Sequence, residues 1–257
     1  MIQAVLISHD GPVTTLTLNR PDKRNALNLA LLDELAAAIQ ATEVRATQRV
    51  LVLRGAGPAF CAGLDLAEAA ASPDARNRSA DMIGTVLAAL ATSRLVTIAA
   101  VHGAALAGGA GLMSACDFAV ATTDTKFGFP EVKRGLVPAL IMTFLRRQLR
   151  ERDVRELLLL GQSFPAAHAH AIGLVNRIVA DEAALAAEVR ALGESVLQGA
   201  PEAIAQTKSL LRALWPSPLA TDLERAHALH LAARNSAEAR EGIAAFQEKR
   251  APNWAPN

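Results

Sequence analysis

Gly103-Ala104-Ala105-Leu106-Ala107-Gly108-Gly109-Ala110-Gly111 follows one apolar stretch, residues 96–101, and leads into another, residues 112–116. The first reads as a buried strand and the second as an apolar run. Glycines at such a junction let the backbone pass close to a ligand and leave N–H groups pointing outward. The run carries no lysine, hydroxyl or carboxylate, so whatever it binds is held by backbone.

Outward from that junction, strands and helices alternate. Residues 5–8 and 13–18 read as two strands around an Asp10-Gly11 turn. Asn28 is placed to cap a helix running to about residue 45. Residues 50–53 form a strand, 55–65 a glycine- and proline-punctuated loop, 80–91 a helix and 118–121 another strand. Pro130 and Pro138 bracket a further loop. From about residue 141 the pattern is mostly helical, with one strand at 174–179. Beyond residue 182 come consecutive helices to 249, broken near Gly199-Ala200-Pro201 and Pro216-Ser217-Pro218. The alternation predicts an α/β class with an all-helical tail.

Bulk properties narrow the partners. The chain has 257 residues, enough for one large domain or one domain plus an appendage. Hydrophobic residues make up 51% and the formal charge is +1, a balance that argues against nucleic acid as a partner. Tyrosine is absent and aromatics are 4%, so base-stacking platforms are not expected. Cys61 and Cys116 form no CxxC pair, which points to a reducing, cytoplasmic setting. No leader and no membrane span are expected.

Two glycine-punctuated turns each follow a strand: Ala59-Phe60-Cys61-Ala62-Gly63-Leu64-Asp65-Leu66 and the opening run. Each can offer one backbone N–H to a single oxygen, the requirement of an oxyanion hole. A third piece, Lys126-Phe127-Gly128-Phe129-Pro130-Glu131-Val132, sets one carboxylate in apolar surroundings, where its pKa rises toward neutrality. No Lys-Ser/Thr follows Gly108, which excludes a Walker-type loop, and the third glycine of a dinucleotide fingerprint is missing.

Five pieces in order carry a family resemblance: Asn19-Arg20-Pro21-Asp22-Lys23-Arg24-Asn25-Ala26-Leu27, Phe60 through Leu66, residues 101–117, Phe127-Gly128-Phe129-Pro130-Glu131 and Phe246-Gln247-Glu248-Lys249-Arg250. Together they resemble the crotonase superfamily, the enoyl-CoA hydratase/isomerase group. The resemblance implies a spiral of ββα units over residues 1–198. It also implies a C-terminal helical region, 199–257, that packs a homotrimer or a dimer of trimers. The implied substrate is an acyl-CoA thioester, with no metal and no cofactor beyond the substrate's own CoA. Its carbonyl is to be polarised by the N–H groups of Leu64 and Gly108, and Glu131 falls where the family keeps a catalytic glutamate.

For CoA the resemblance implies contacts near Arg24, Ala26, Ala62, Gly63, Asp65 and Leu66. Phe246 and Lys249 are implied to come from a neighbouring subunit. The family's hydratases usually carry a second glutamate three residues after the oxyanion glycine; here that residue is Gly111. The departure leaves one acid/base and is expected to open space beside the reacting carbons. Pro138-Ala139-Leu140-Ile141 also replaces a common Gly-Gly-Thr-Gln run. The surrounding sequence is similar to hydratases of branched or carboxylated enoyl-CoAs, the methylglutaconyl-CoA type. The expected reaction is hydration of a 2-enoyl-CoA. The alternatives are Δ3,Δ2 isomerisation by a lone Glu131 and a degenerate acyl-CoA-binding protein.

Other residues have plainer readings. Cys61 is expected to be a packed residue, because no basic partner is visible. Asp65 is equally a helix cap or a substrate contact. The pairs His168/His170 and His227/His230 are expected to be surface or core histidines rather than metal ligands. The arginines between 146 and 155 read as a solvated helix face with ion pairs.

Overall fold

Strands β1 (Val5–Asp10) and β2 (Val13–Leu18) pair antiparallel about the Asp10-Gly11 turn. β2 then pairs in parallel with β3 (Val50–Gly55), β3 with β4 (Val96–Val101), β4 with β6 (Phe118–Thr122) and β6 with β9 (Arg177–Val179). The result is a six-stranded sheet whose central strands are buried on both faces. Residues alternate between those faces, as strand geometry dictates. Leu51, Leu53, Ala99 and Val101 face α1 (Leu29–Glu43) and α3 (Pro73–Thr92). Val50, Val52, Val96 and Ile98 face α8 (Glu182–Leu197) through Leu185, Val189 and Leu192. This computed structural model describes residues 3–70, 72–214 and 218–253.

A second, three-stranded sheet is built from β5 (Ala104–Leu106), β7 (Lys126–Gly128) and β8 (Ser163–Pro165). The chain steps between the two sheets in sequence. β4 continues into β5 and then α4 (Gly108–Ser114). β6 continues into β7 and then α5 (Ala139–Gln148). Two isolated parallel bridges extend the pattern backward: Cys61 pairs with Ala105 after β3, and Leu27 pairs with Leu64 after β2. Each turn is therefore strand, strand, helix, the expected ββα spiral. Gly103 makes one step between sheets possible. It sits at φ 63°, and a Cβ there would lie 2.1 Å from the Pro58 carbonyl oxygen.

The sequence-based elements differ from the observed ones in a few places. Residues 104–106 lie inside the glycine run yet form strand β5, because Ala104 to Leu106 pair with Lys126 to Gly128. β7 and β8 were not expected from the pattern; at three residues each they carry no readable alternation. The helix expected from 80 begins at Pro73, and the strand expected from 174 begins at Arg177. Besides the break at Gly199–Pro201, the tail is interrupted at Asn235-Ser236, where Ser236 caps α11 (Ala237–Gln247). The break expected at 216–218 falls largely outside the described residues; α10 (Leu219–Arg234) starts directly after Pro218.

Candidate active site

The register of the small sheet sets the site. Leu106 lies opposite Gly128; two residues past the first is Gly108, and three past the second is Glu131. The 59–66 turn is stitched between two neighbours. Leu27 N donates to Gly63 O at 2.8 Å and Asp65 N to Leu27 O at 2.9 Å. On the other side Cys61 N donates to Ala104 O and Leu106 N to Cys61 O, both at 3.0 Å. Leu64 is thus held at both ends. Among the described residues, its own N–H and that of Gly108 reach no protein acceptor. The two are close: a Cβ built on Gly108 would lie 3.8 Å from Leu64 N.

Ala107, the N-cap of α4, sits at φ 48° and ψ −124°, a conformation that costs a non-glycine residue about 1–3 kcal/mol. Its N–H is tied to Gly128 O at 2.9 Å and its carbonyl accepts from Gly111 N at 3.0 Å. Gly109 lets the helix start against the 59–66 turn, since a Cβ there would be 2.3 Å from Cys61 O. Asn25 braces the preceding loop. Its side chain donates to Ala56 O at 2.9 Å and Ala59 O at 2.8 Å, and accepts from Arg20 N at 2.9 Å.

Glu131 lies in a 3₁₀ turn, Pro130–Arg134, and is 8% exposed. Its Oε2 is buried without a hydrogen-bond partner. Burial pushes its pKa from the ordinary 4.5 up to about 7; its own backbone N–H and the Arg134 guanidinium pull it only partly back. Arg134 lies 4.3 Å from the centre of the Phe246 ring, and its Nε is likewise buried without a partner.

These groups border one cavity of about 700 Å³, a size suited to a substantial ligand. Of the expected site residues, Arg24, Ala26, Ala62, Leu64, Asp65, Leu66, Gly108, Glu131 and Phe246 line it. Gly63, Gly111 and Lys249 do not line it. Gly63 supports from behind, its Cβ position 2.9 Å from that of Ala107. Phe246 borders the cavity of its own chain, where a neighbouring subunit's was expected.

Gly111 requires a correction: it opens no space. A Cβ there would meet Ile141 Cγ1 at 3.0 Å and Leu87 Cδ2 at 3.8 Å. Ile141, from the departing Pro-Ala-Leu-Ile run, occupies the position beside Gly111 and forms cavity wall instead.

Asp65 combines its two expected readings. It lines the cavity, pairs with Arg20 at 3.0 Å and accepts weakly from Glu68 N at the start of α2 (Leu66–Ala70) at 3.4 Å. Cys61 is a packed residue; burial pushes its thiol up to about 12, and its Sγ donates to Asn25 O at 3.1 Å. The arginine cluster forms pairs, Arg150 with Asp153 and Arg155 with Glu151 on the surface and Arg147 with Asp222 beneath it. Three cavity-lining basic residues were missed: Arg134, His230 and Arg234. His230 was expected to be surface or core, and only the packing of α10 against α3 and α5 turns it to the cavity. Among the described residues, no three His, Cys, Asp or Glu side chains gather as a metal-binding set.

A ββα spiral in which two layers meet at a ligand-sized cavity defines the crotonase class of fold. The enoyl-CoA hydratase/isomerase family profile matches residues 9–257, and the chain belongs to that family of enzymes. It is 35% identical over 254 residues to a "Probable enoyl-CoA hydratase" of Mycobacterium tuberculosis, covering 98% of both chains. It is 34% identical over 265 residues to the mevalonyl-coenzyme A hydratase of Aspergillus fumigatus, covering 100% of this chain and 96% of that one. The crystal structure of an enoyl-CoA hydratase from Mycobacterium avium superposes with a TM-score of 0.88 at 36% identity, covering 99% and 100% of the two chains.

Proposed function

We propose that the chain adds water across the 2,3-double bond of an enoyl-CoA. The observation that carries this is the pairing of two unspent N–H groups, Leu64 and Gly108, with a buried carboxyl, Glu131, on one cavity wall. The thioester oxygen accepts from both N–H groups, so negative charge arriving there on attack is stabilised by donors already in place. Glu131, ionised, takes a proton from water as the water oxygen bonds to the β-carbon. The π electrons shift toward the thioester, and Glu131 returns that proton to the α-carbon. One carboxyl thus serves both half-steps and water is added whole. Arg24, at the exposed mouth, suits the polyanionic CoA.

One observation favours a second reading. With Ile141 beside Gly111, the wall holds a single well-placed acid/base, and shuttling one proton between α- and γ-carbons needs only one. Purified protein is therefore assayed against 2-enoyl- and 3-enoyl-CoAs, with Glu131→Gln alongside. The expected outcome is hydration of a 2-enoyl-CoA, reduced about 10²–10⁴-fold in the variant. Hydration is refuted if no 2-enoyl-CoA, linear or branched, gains water faster than in buffer. Turnover of 3-enoyl-CoAs alone establishes the isomerase, and tight CoA binding without turnover the degenerate protein.

We also propose a trimer or dimer of trimers working in the cytoplasm. The support is a set of exposed leucines on the C-terminal helices and two buried, unpaired cysteines. No described helix is long and apolar enough to cross a membrane.

A further inference from the structure

The turn that carries Glu131 is gripped by α11. A Cβ on Gly242 of that helix would press into the Arg134 carbonyl group, and one on Gly135 into the Glu238 backbone. These two glycines let the helix and the Pro130–Arg134 turn meet backbone to backbone. One helical turn on from Gly242, the Phe246 ring centre lies 4.3 Å from the Arg134 guanidinium carbon. Among the described residues that guanidinium makes no hydrogen bond or ion pair, and its Nε is buried. Burying such a group without a partner costs free energy, which the face of the aromatic ring offsets in part. Glu131, Arg134 and Phe246 all border the cavity. Glu131 and Arg134 stand three residues apart in a 3₁₀ turn, a spacing that sets both side chains on one side of it.

Neighbouring charges are engaged elsewhere. Besides α11, α6 (Glu151–Leu160) packs on the turn. Glu151 pairs with Arg155, Asp153 with Arg150 and Glu241 with Arg250. Arg152, Glu156, Glu238 and Arg240 are exposed to solvent, as is Lys133 in the turn itself. On α10, the other helix at the cavity, the charge of Arg234 acts on His230. The charge that acts on Glu131 is that of Arg134, and the charge that acts on Arg134 is that of Glu131.

Resting on the reading of Glu131 as the acid/base, we propose that Arg134 and Phe246 are positioning residues for it: the Phe246 ring on α11 holds the Arg134 guanidinium beside the turn, and that fixed positive charge favours the ionised carboxylate that takes a proton from water. Arg134 acts across a gap, through its field, and a half-buried setting screens that field less than water does. Without the ring, the guanidinium is free to turn toward solvent, where its charge is screened and Glu131 keeps its proton to higher pH. The C-terminal helix thereby bears on the chemistry through a side chain that need not touch the reacting carbons.

The test is a carbon-13 NMR titration of the Glu131 carboxyl in the full chain, its resonance assigned by its loss in Glu131→Gln, with the pH profile of kcat/KM alongside. In Arg134→Gln the titration midpoint is expected to rise by about one pH unit, and kcat/KM at pH 6 to fall about tenfold. Arg134→Lys, which keeps the charge, restores most of both. Phe246→Leu moves the midpoint the same way by less, Phe246→Trp leaves it in place, and Phe246→Leu adds nothing once Arg134 is Gln. The Phe246 variants change a half-exposed ring and keep the test decisive if Arg134→Gln does not fold. An unmoved midpoint in Arg134→Gln, or in Phe246→Leu, overturns the proposal. So does a Phe246→Leu shift of equal size in both backgrounds, or a Phe246→Leu that alters KM alone, which would make the ring a CoA contact only. The carboxyl titrates whether or not an enoyl-CoA turns over, so a wild type that hydrates nothing refutes the proposed activity and leaves the coupling of Arg134 to Glu131 to be read on its own.

Discussion

Glu131 shows how one buried side chain couples chemistry to stability. A carboxyl whose pKa rises from 4.5 to about 7 on folding holds its proton more tightly in the folded than in the unfolded chain. Between those values the folded state binds more protons, so stability falls as pH rises through that window and is fully present only below it. The shift corresponds to about 3 kcal/mol. Glu131→Gln, which carries no charge to desolvate, is expected to melt at a higher temperature than wild type at pH 8 and to lose that advantage at pH 4. Activity runs the other way. The ionised form is the base, so kcat/KM for hydration falls below about pH 7, where an ordinary glutamate would stay active to about pH 4.5. Melting curves that differ equally at both pH values would refute the burial argument. Glu131, Leu64 and Gly108 could be proposed from the sequence, because each sits in a short local motif, and all three border the cavity. The filling of the space at Gly111 could not, since Ile141 is thirty residues away and only the packing of α5 brings it there.

At the scale of elements, the positions of the two N–H groups are decided by backbone contact rather than side-chain chemistry. α4 begins against the 59–66 turn because Gly109 has no Cβ. In Gly109→Ala the new methyl would sit 2.3 Å from Cys61 O and 2.7 Å from Cys61 Cβ. Neither neighbour yields easily: Cys61 is fully buried and both its N–H and its carbonyl are bonded to β5. The helix must shift outward, carrying the Gly108 N–H away from Leu64. The expected result is a loss in kcat approaching the 10²–10³ of a missing oxyanion donor, with Glu131 untouched. Steady-state kinetics on an enoyl-CoA decide it, and a variant with wild-type kcat removes Gly108 from the proposed role. The long strands and the Asn28-capped helix were readable in the sequence from alternation and cap chemistry. β5, β7 and β8 were not, because three-residue strands exist only through their partners. Those strands set Leu106 opposite Gly128, and Gly108 and Glu131 follow within three residues of that pair.

On the scale of the whole molecule, the C-terminal helices serve two surfaces. Inward, α10 and the end of α11 complete the cavity wall, so the site spans the expected boundary at 198/199. Lys208 of α9 (Pro201–Ala213) reaches the spiral, where its ammonium meets Asp117 at 2.5 Å and donates to Leu95 O. Outward, α9 and the residue that follows it present Leu210, Leu211 and Leu214, at 56%, 67% and 74% exposure. Single exposed leucines are ordinary, but three on adjoining turns form a patch of the kind that marks an interface. Burying each against a second copy gains about 1.5–3 kcal/mol at most. Sedimentation of the wild type is expected to give three or six times 27.0 kDa. Leu211→Asp with Leu214→Asp is expected to move the mass toward 27.0 kDa while circular dichroism stays helical. A wild type that sediments at 27.0 kDa at all concentrations would show that α9 packs no second copy. An unchanged oligomer in the double variant would place the interface elsewhere.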